Sequence, residues 1–267
     1  MTDLVQERIE DLLLDHAPAR GRARPHPLLL VHGMNGGSWY LENYLKAAAA
    51  DGWDAWAVNL RGHWGSRPAS DLGRISVLDY VEDVRDCLRA LGPAAVLGHS
   101  MGGLVAQKIA EEGAVTAAVF LTSAPPRGIV VLRWGVLSRM WRYAPAVLGS
   151  RPFQPSREDA AALIANGLSR ETQEQLYPRL VPESGRAARE LALGSVPVAA
   201  GRVRCPTLVV GAERDAITPA GVQRKIAAKY GATYQEAAGH AHMLMIEDGW
   251  ERPFKAILAW LDRASVS

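Results

Sequence analysis

Ser100 stands in Gly98-His99-Ser100-Met101-Gly102, directly after the apolar run Ala94-Ala95-Val96-Leu97. A serine hydroxyl becomes a useful nucleophile only when the backbone holds it out where a base can take its proton. A sharp strand-to-helix turn holds it so, and that turn needs small residues two before and two after the serine. Gly98 and Gly102 are those residues. From Gly103 to Ala110 the apolar positions recur at helical spacing, so the motif sits between an expected strand and an expected helix.

The serine then needs a base, and the base needs an orienting acid. Of the seven histidines, His240 and His242 follow the last expected strand, in Ala238-Gly239-His240-Ala241-His242-Met243-Leu244-Met245. Asp215 follows the run Thr207-Leu208-Val209-Val210 by a few residues. In a doubly wound sheet, functional side chains gather at the carboxyl ends of strands. The order Ser100, Asp215, His242 is the one that accompanies this kind of turn. Each residue alone has a plain reading, the aspartate as a turn or cap and the histidine as a satisfied polar group. All three in this order and at strand ends favour a catalytic triad. Acyl transfer also needs donors for a developing oxyanion. The amide of Met101, at the start of the expected helix, is one candidate. The amide of Met34, in His32-Gly33-Met34-Asn35-Gly36-Gly37, is the second, because Gly33 allows close backbone approach. The same loop lacks both the spacing and the lysine of a phosphate-binding loop.

These residues need a sheet beneath them. Leu28 to Val31, Ala55 to Val58, Ala94 to Leu97, Ala117 to Leu121 and Thr207 to Val210 are short continuous apolar runs, and Thr233 to Glu236 is a weaker one. Such runs suit strands buried on both faces. Helical patterns lie between them, at Leu41 to Ala50, Ser76 to Leu91, Gly221 to Tyr230 and Trp250 to Arg263. The alternation predicts an α/β fold with a doubly wound, mostly parallel sheet. The first twenty residues fit either a helix or strands, with a short antiparallel hairpin at the sheet edge preferred. Between about Pro125 and Arg204 no buried strand is legible. Helical patches appear there at Val130 to Tyr143, Arg157 to Gly167, Ser169 to Tyr177 and Ser184 to Leu193. That stretch is too long for a structureless loop and is read as an inserted helical lid. The expected organisation is core over 1–126, lid over 127–204 and core again over 205–267.

Composition narrows the classes further. A chain of 267 residues with net charge +2 gives no support to a nucleic-acid partner. Cys87 and Cys205 form neither a metal-ligand spacing nor a disulfide framework, and Cys87 is expected as a buried thiol. The N-terminus lacks the order of a signal peptide. No apolar stretch reaches the ~20 residues that span a bilayer. The expectation is a cytoplasmic protein with no membrane span and no metal. No oligomeric state follows.

Taken together, His32-Gly33-Met34, Asn59 to Ser66, Gly98 to Gly103, Gly211 to Asp215 and His242 to Glu247 resemble the α/β-hydrolase fold superfamily, in its lidded serine-hydrolase form. The resemblance covers the chain from about Pro27 onward. It implies strands for the N-terminal segment. It favours His242 over His240, because the family's base is usually followed five residues later by an acid opening the last helix, here Glu247. It also implies that Asn59, where the family often has Asp, shapes its loop. The implied reaction is hydrolysis of a carboxylic ester by Ser100, His242 and Asp215 through an acyl-enzyme, without cofactor. Lactone, thioester or C–C bond hydrolysis would use the same triad. A small-ligand receptor, or a non-hydrolytic acyltransferase or lyase, is the reading from another class. Members that cleave epoxides carry Asp at the elbow, and Ser100 argues against that. The partner is expected to be a small apolar acyl molecule. Trp39, Tyr40, Trp134, Met140, Trp141 and Tyr143 are candidates to wall its pocket, with packing of the lid on the core as the plain alternative. Arg133, Arg139, Arg142 and Arg151 are expected to be mostly solvated, with one of them free to hold a substrate carboxylate.

Overall fold

Eight strands pair in the order β1-β2-β4-β3-β5-β6-β7-β8 in a computed structural model that describes residues 4–131 and 134–264. β1 (Val5–Ile9) and β2 (Leu12–Ala17) form an antiparallel hairpin, and β2 pairs antiparallel with β4 (Ala55–Val58). β3 (Leu28–Val31), β5 (Ala94–His99), β6 (Val115–Leu121), β7 (Thr207–Ala212) and β8 (Thr233–Ala237) complete a parallel array with β4. The N-terminal segment is therefore strand, at one edge of the sheet.

The apolar runs are continuous because both faces of the sheet are covered. In β3, Leu28 and Leu30 pack into the layer that holds α1 (Glu42–Ala50) and α10 (Glu251–Ala264). Leu29 and Val31 pack into the other, with α2 (Val77–Leu91) and α3 (Met101–Glu112). α2 begins at a reciprocal cap: the Ser76 hydroxyl accepts from Asp79 N–H, and the Asp79 carboxylate accepts from Ser76 N–H. Such a cap contributes about 1 kcal/mol. The helix then buries Val77, Tyr80, Val81, Val84 and Leu88 on one face. Cys87 is buried there as a free thiol, and Cys205 is half-buried and free.

The segment between β6 and β7 holds α4 (Trp134–Met140), α5 (Ala144–Leu148), α6 (Arg157–Asp159), α7 (Arg170–Leu176) and α8 (Gly185–Ala192). α9 (Ala220–Tyr230) follows β7. These insertion helices are shorter than the sequence windows suggest. The window 130–143 breaks into α4 and a 3-10 turn before Pro145 opens α5. The window 157–167 is one α turn followed by a π turn over Ala160–Ile164. Ser156, Ser169 and Ser184 each cap a helix start. Among the described residues, no helix is long and apolar enough to cross a membrane.

Candidate active site

β5 ends at His99 and α3 starts at Met101, which leaves Ser100 as the whole connection. Its backbone sits at φ 55°, ψ −117°, a strained conformation for a residue with a Cβ. Nothing larger than glycine fits around it. A Cβ on Gly98 would strike the Gly102 carbonyl, and one on Gly102 would strike the Val31 carbonyl. Four backbone hydrogen bonds then hold the turn: Ser100 N–H donates to Leu121 O, and Ser100 O accepts from Gly103, Leu104 and Ala124 N–H.

The structure brings Ser100, His242 and Asp215 into one line. His242 Nε2 lies 3.1 Å from Ser100 Oγ, and Nδ1 lies 2.9 Å from Asp215 Oδ2. His240 turns away, with Nδ1 3.3 Å from Glu247 Oε2. Glu247 does not open the last helix, which starts at Glu251. It lies in the preceding turn, where its carboxylate accepts from Ala241 and Met243 N–H and fixes the loop on both sides of His242. The Asp215 carboxylate also accepts from Ile217 N–H, Thr218 N–H and the Thr218 hydroxyl. Burial raises its pKa, but the neighbouring imidazole and these donors overcome that and bring it down to about 2. Asp215 is therefore an anion aimed at Nδ1.

Gly33 packs against the serine: a Cβ there would lie 2.8 Å from Ser100 Cβ. The loop from β3 thus crosses the elbow directly. Met34 N–H has no acceptor among the described residues. Met101 N–H is the first amide of α3, and the first amides of a helix lack partners within it.

Around these groups lie two neutral histidines. His99 Nε2–H donates to the His242 carbonyl at 3.0 Å, while Nδ1 accepts from the Tyr40 hydroxyl at 3.1 Å. Burial, with His242 alongside, pushes its pKa down to about 3. His32 Nδ1–H donates to Gly33 O at 2.8 Å, and Nε2 accepts from Leu60 N–H at 3.0 Å. Burial, with His63 alongside, lowers it likewise to about 3.

A model of the Alpha/beta hydrolase family matches residues 28–259. The chain belongs to that family. Among curated proteins, Epoxide hydrolase 3 of Xenopus tropicalis is 25% identical over 232 residues, which cover 78% of this chain and 63% of that relative. The chain thus spans less than two thirds of the relative's length. Among solved structures, a hydrolase from Pseudomonas aeruginosa PA01 superposes with a TM-score of 0.71 at 22% identity, over 97% of this chain and 98% of the other. A monoacylglycerol lipase from Paleococcus ferrophilus superposes with a TM-score of 0.71 at 19% identity, over 97% and 98%. At these identities the likeness to the solved structures is one of fold.

In this α/β-hydrolase chain the aromatic candidates part company. Trp134 and Trp141 are 82% and 70% exposed, so they neither wall a pocket nor pack on the core. Their short helical segment turns that face to solvent. Tyr143 turns inward instead, donating to Asp159 Oδ2 at 2.6 Å. Trp39 is half-buried beside Trp64, with the Arg179 guanidinium 4.1 Å above its ring. Tyr40 is buried at the elbow. Arg139 and Arg142 pair with Asp159, Arg151 donates to Pro145 O, and Arg133 lies outside the described residues. Asn59 ties its loop down, with Oδ1 accepting from Ser38 N–H and Nδ2 donating to Leu13 O and Ser38 Oγ. Sequence reasoning missed the roles of His32, His99 and Tyr40. The only signal was position: His32 directly follows β3 beside Gly33, and His99 ends β5 beside Ser100.

Proposed function

We propose that this chain is a serine hydrolase acting on a small, apolar carboxylic ester or a related acyl compound. The observation that carries the reading is the strained Ser100, with Oγ 3.1 Å from His242 Nε2. Ser100 Oγ attacks the acyl carbon while His242 Nε2 takes its proton. The Asp215 anion at Nδ1 holds the ring and stabilises the imidazolium. Met34 and Met101 amides receive the oxyanion, a donor being worth about 3 kcal/mol in such sites. The tetrahedral intermediate collapses, and His242 returns the proton to the departing alcohol. Water, deprotonated by His242, then releases the acid from Ser100. No group beyond these side chains and amides is called for. The segment 127–204 acts as the lid over this site.

The epoxide hydrolase relative raises another chemistry. Members of this fold that cleave epoxides carry an aspartate at the elbow. Ser100 stands at that position here, so acyl chemistry is favoured. Lactones and thioesters fit the same steps.

A panel of p-nitrophenyl esters, lactones and acyl thioesters tests the proposal. Turnover of at least one class is expected, and Ser100→Ala should abolish it. No turnover by the folded wild type, or equal turnover by Ser100→Ala, would contradict it.

A further inference from the structure

Glu183 belongs to the insertion, yet its carboxylate is fully buried and meets donors from four segments. Oε1 accepts from the Tyr80 hydroxyl of α2 at 2.6 Å and from Ser184 N–H at 2.7 Å. Oε2 lies 3.2 Å from Nε2 of His63 and accepts from Asn35 N–H at 3.2 Å. His63 Nδ1 lies 2.9 Å from the Arg61 carbonyl. Burial raises the Glu183 pKa, but His63, Tyr80 and the Ser184 amide outweigh it and keep the group a carboxylate. A carboxylate and a carbonyl can only accept, so both ring nitrogens carry protons. Glu183 and His63 form a buried carboxylate–imidazolium pair. Such a pair is a weak source of stability, because both charges leave water. What it does fix is geometry.

The geometry concerns the loop after β3. Asn35 sits at φ 60°, in the left-handed region. Its backbone O accepts from Val181 N–H at 3.0 Å, and its side-chain amide donates to Val181 O at 2.9 Å. Phe153 and Glu183 exchange backbone hydrogen bonds at 3.0 and 2.8 Å, bracing this stretch from the other side. Three consecutive amides now have distinct fates. Gly33 N–H donates to the Tyr40 hydroxyl. Asn35 N–H donates to Glu183. Met34 N–H, between them, has no acceptor among the described residues.

We propose that Glu183 is a positioning residue for the oxyanion hole, clamping the peptide that follows Met34 while Tyr40 clamps the peptide that precedes Gly33. The inference rests on the hydrolase reading above. Glu183 never touches the substrate. It acts through Asn35, which makes the hole a joint product of sheet and insertion.

The test compares wild type, Glu183→Gln, Glu183→Asp and Tyr80→Phe on a p-nitrophenyl ester. Three readouts are taken: kcat, KM and the affinity of an alkyl trifluoromethyl ketone. That ketone adds serine to give an oxyanion, so its binding reports the hole. Glu183→Gln is expected to lower kcat by about 30- to 100-fold, with KM within about threefold and ketone affinity falling in step with kcat, the scale of a misplaced donor. Glu183→Asp should recover part of both. Asp159→Asn is the structural control. It disturbs the insertion's other fully buried carboxylate, which holds Tyr143 and Ser156, and should leave kcat within about twofold. Wild-type kcat and ketone affinity in Glu183→Gln, or losses no larger than those of Asp159→Asn, would overturn the inference. Should Glu183→Gln not fold, Tyr80→Phe removes a single donor. It should cost about three- to tenfold in the same two readouts, and no change would overturn the inference equally. An active wild type with an indifferent Glu183→Gln sinks this inference alone, whereas an inactive wild type sinks the hydrolase reading with it.

Discussion

The Tyr40 hydroxyl donates to Nδ1 of His99 at 3.1 Å, with both side chains buried. Burial raises the phenol's pKa, so it keeps its proton and stays a donor. Tyr40 accepts from Gly33 N–H, and His99 Nε2–H donates onward to the His242 carbonyl. One chain of hydrogen bonds thus links the loop after β3, the turn at Ser100 and the loop that bears His242. Tyr40→Phe strands the Gly33 amide and His99 Nδ1. The expected cost is about 1–3 kcal/mol of stability, the penalty for an unsatisfied buried group. kcat should fall more than KM rises. Denaturant titration and steady-state kinetics check this, and unchanged values in both would contradict it.

Asp215, with its pKa at about 2, should make no titration of its own between pH 4 and 8. The sign follows from the depressed value. Its stabilising contribution is full above the ordinary carboxylate value of 3.8 and is lost as pH falls through about 2. Asp215→Asn keeps the shape but removes the anion. kcat is expected to fall by about 10⁴, with the far-UV circular dichroism spectrum retained. A loss under tenfold would contradict the role given to Asp215.

The His63–Glu183 pair sets a pH window for stability. Burial lowers the His63 pKa, but the Glu183 charge and hydrogen bond outweigh it and raise it above 6.5. Burial raises the Glu183 pKa, but His63, Tyr80 and the Ser184 amide bring it below 4.5. His32, the imidazole beside His63, is held neutral by burial, and Tyr80, whose ring also faces His63, keeps its proton because burial raises its pKa. The pair's contribution is therefore full between about pH 4.5 and 6.5. It declines as pH rises through the raised imidazole value, and as pH falls through the lowered carboxylate value. Thermal melts from pH 5.5 to 9 should show Tm falling on the alkaline side. Glu183→Gln should show a shallower slope, and an identical slope would contradict the pairing.

Gly33→Ala tests how closely the loop crosses Ser100. The added methyl would lie 2.8 Å from Ser100 Cβ and 3.2 Å from His99 O. Backbone must shift, at a cost of about 1–3 kcal/mol. The shift falls on the neighbours of Met34, so kcat should drop at least tenfold, a loss of the kind a 1 Å misplacement brings. Wild-type kinetics in this variant would contradict the close approach.

The sheet was legible because its strands are buried on both faces and read as unbroken apolar runs, as at Leu28 to Val31. The serine turn was legible because Gly98 and Gly102 are the only residues that fit. The insertion was harder. Its helices span one to two turns, too short for a clear period, so the Val130 to Tyr143 window hid a break. Trp134 and Trp141 kept helical spacing, but spacing does not say which face meets solvent. Glu183 was invisible for another reason. Its partners lie 103 residues away at Tyr80, 120 at His63 and 148 at Asn35, and no local pattern encodes such a meeting. Glu247 was noticed by its distance from His242, but that distance did not tell a helix start from the turn before it.

Labelling with a fluorophosphonate probe, followed by peptide mapping, tests the central claim most directly, because the probe phosphonylates only a serine activated by its base. The account predicts stoichiometric modification of the wild type at Ser100, none in Ser100→Ala and a large loss of rate in His242→Ala. A folded wild type that stays unmodified, or that reacts at another residue, would contradict it.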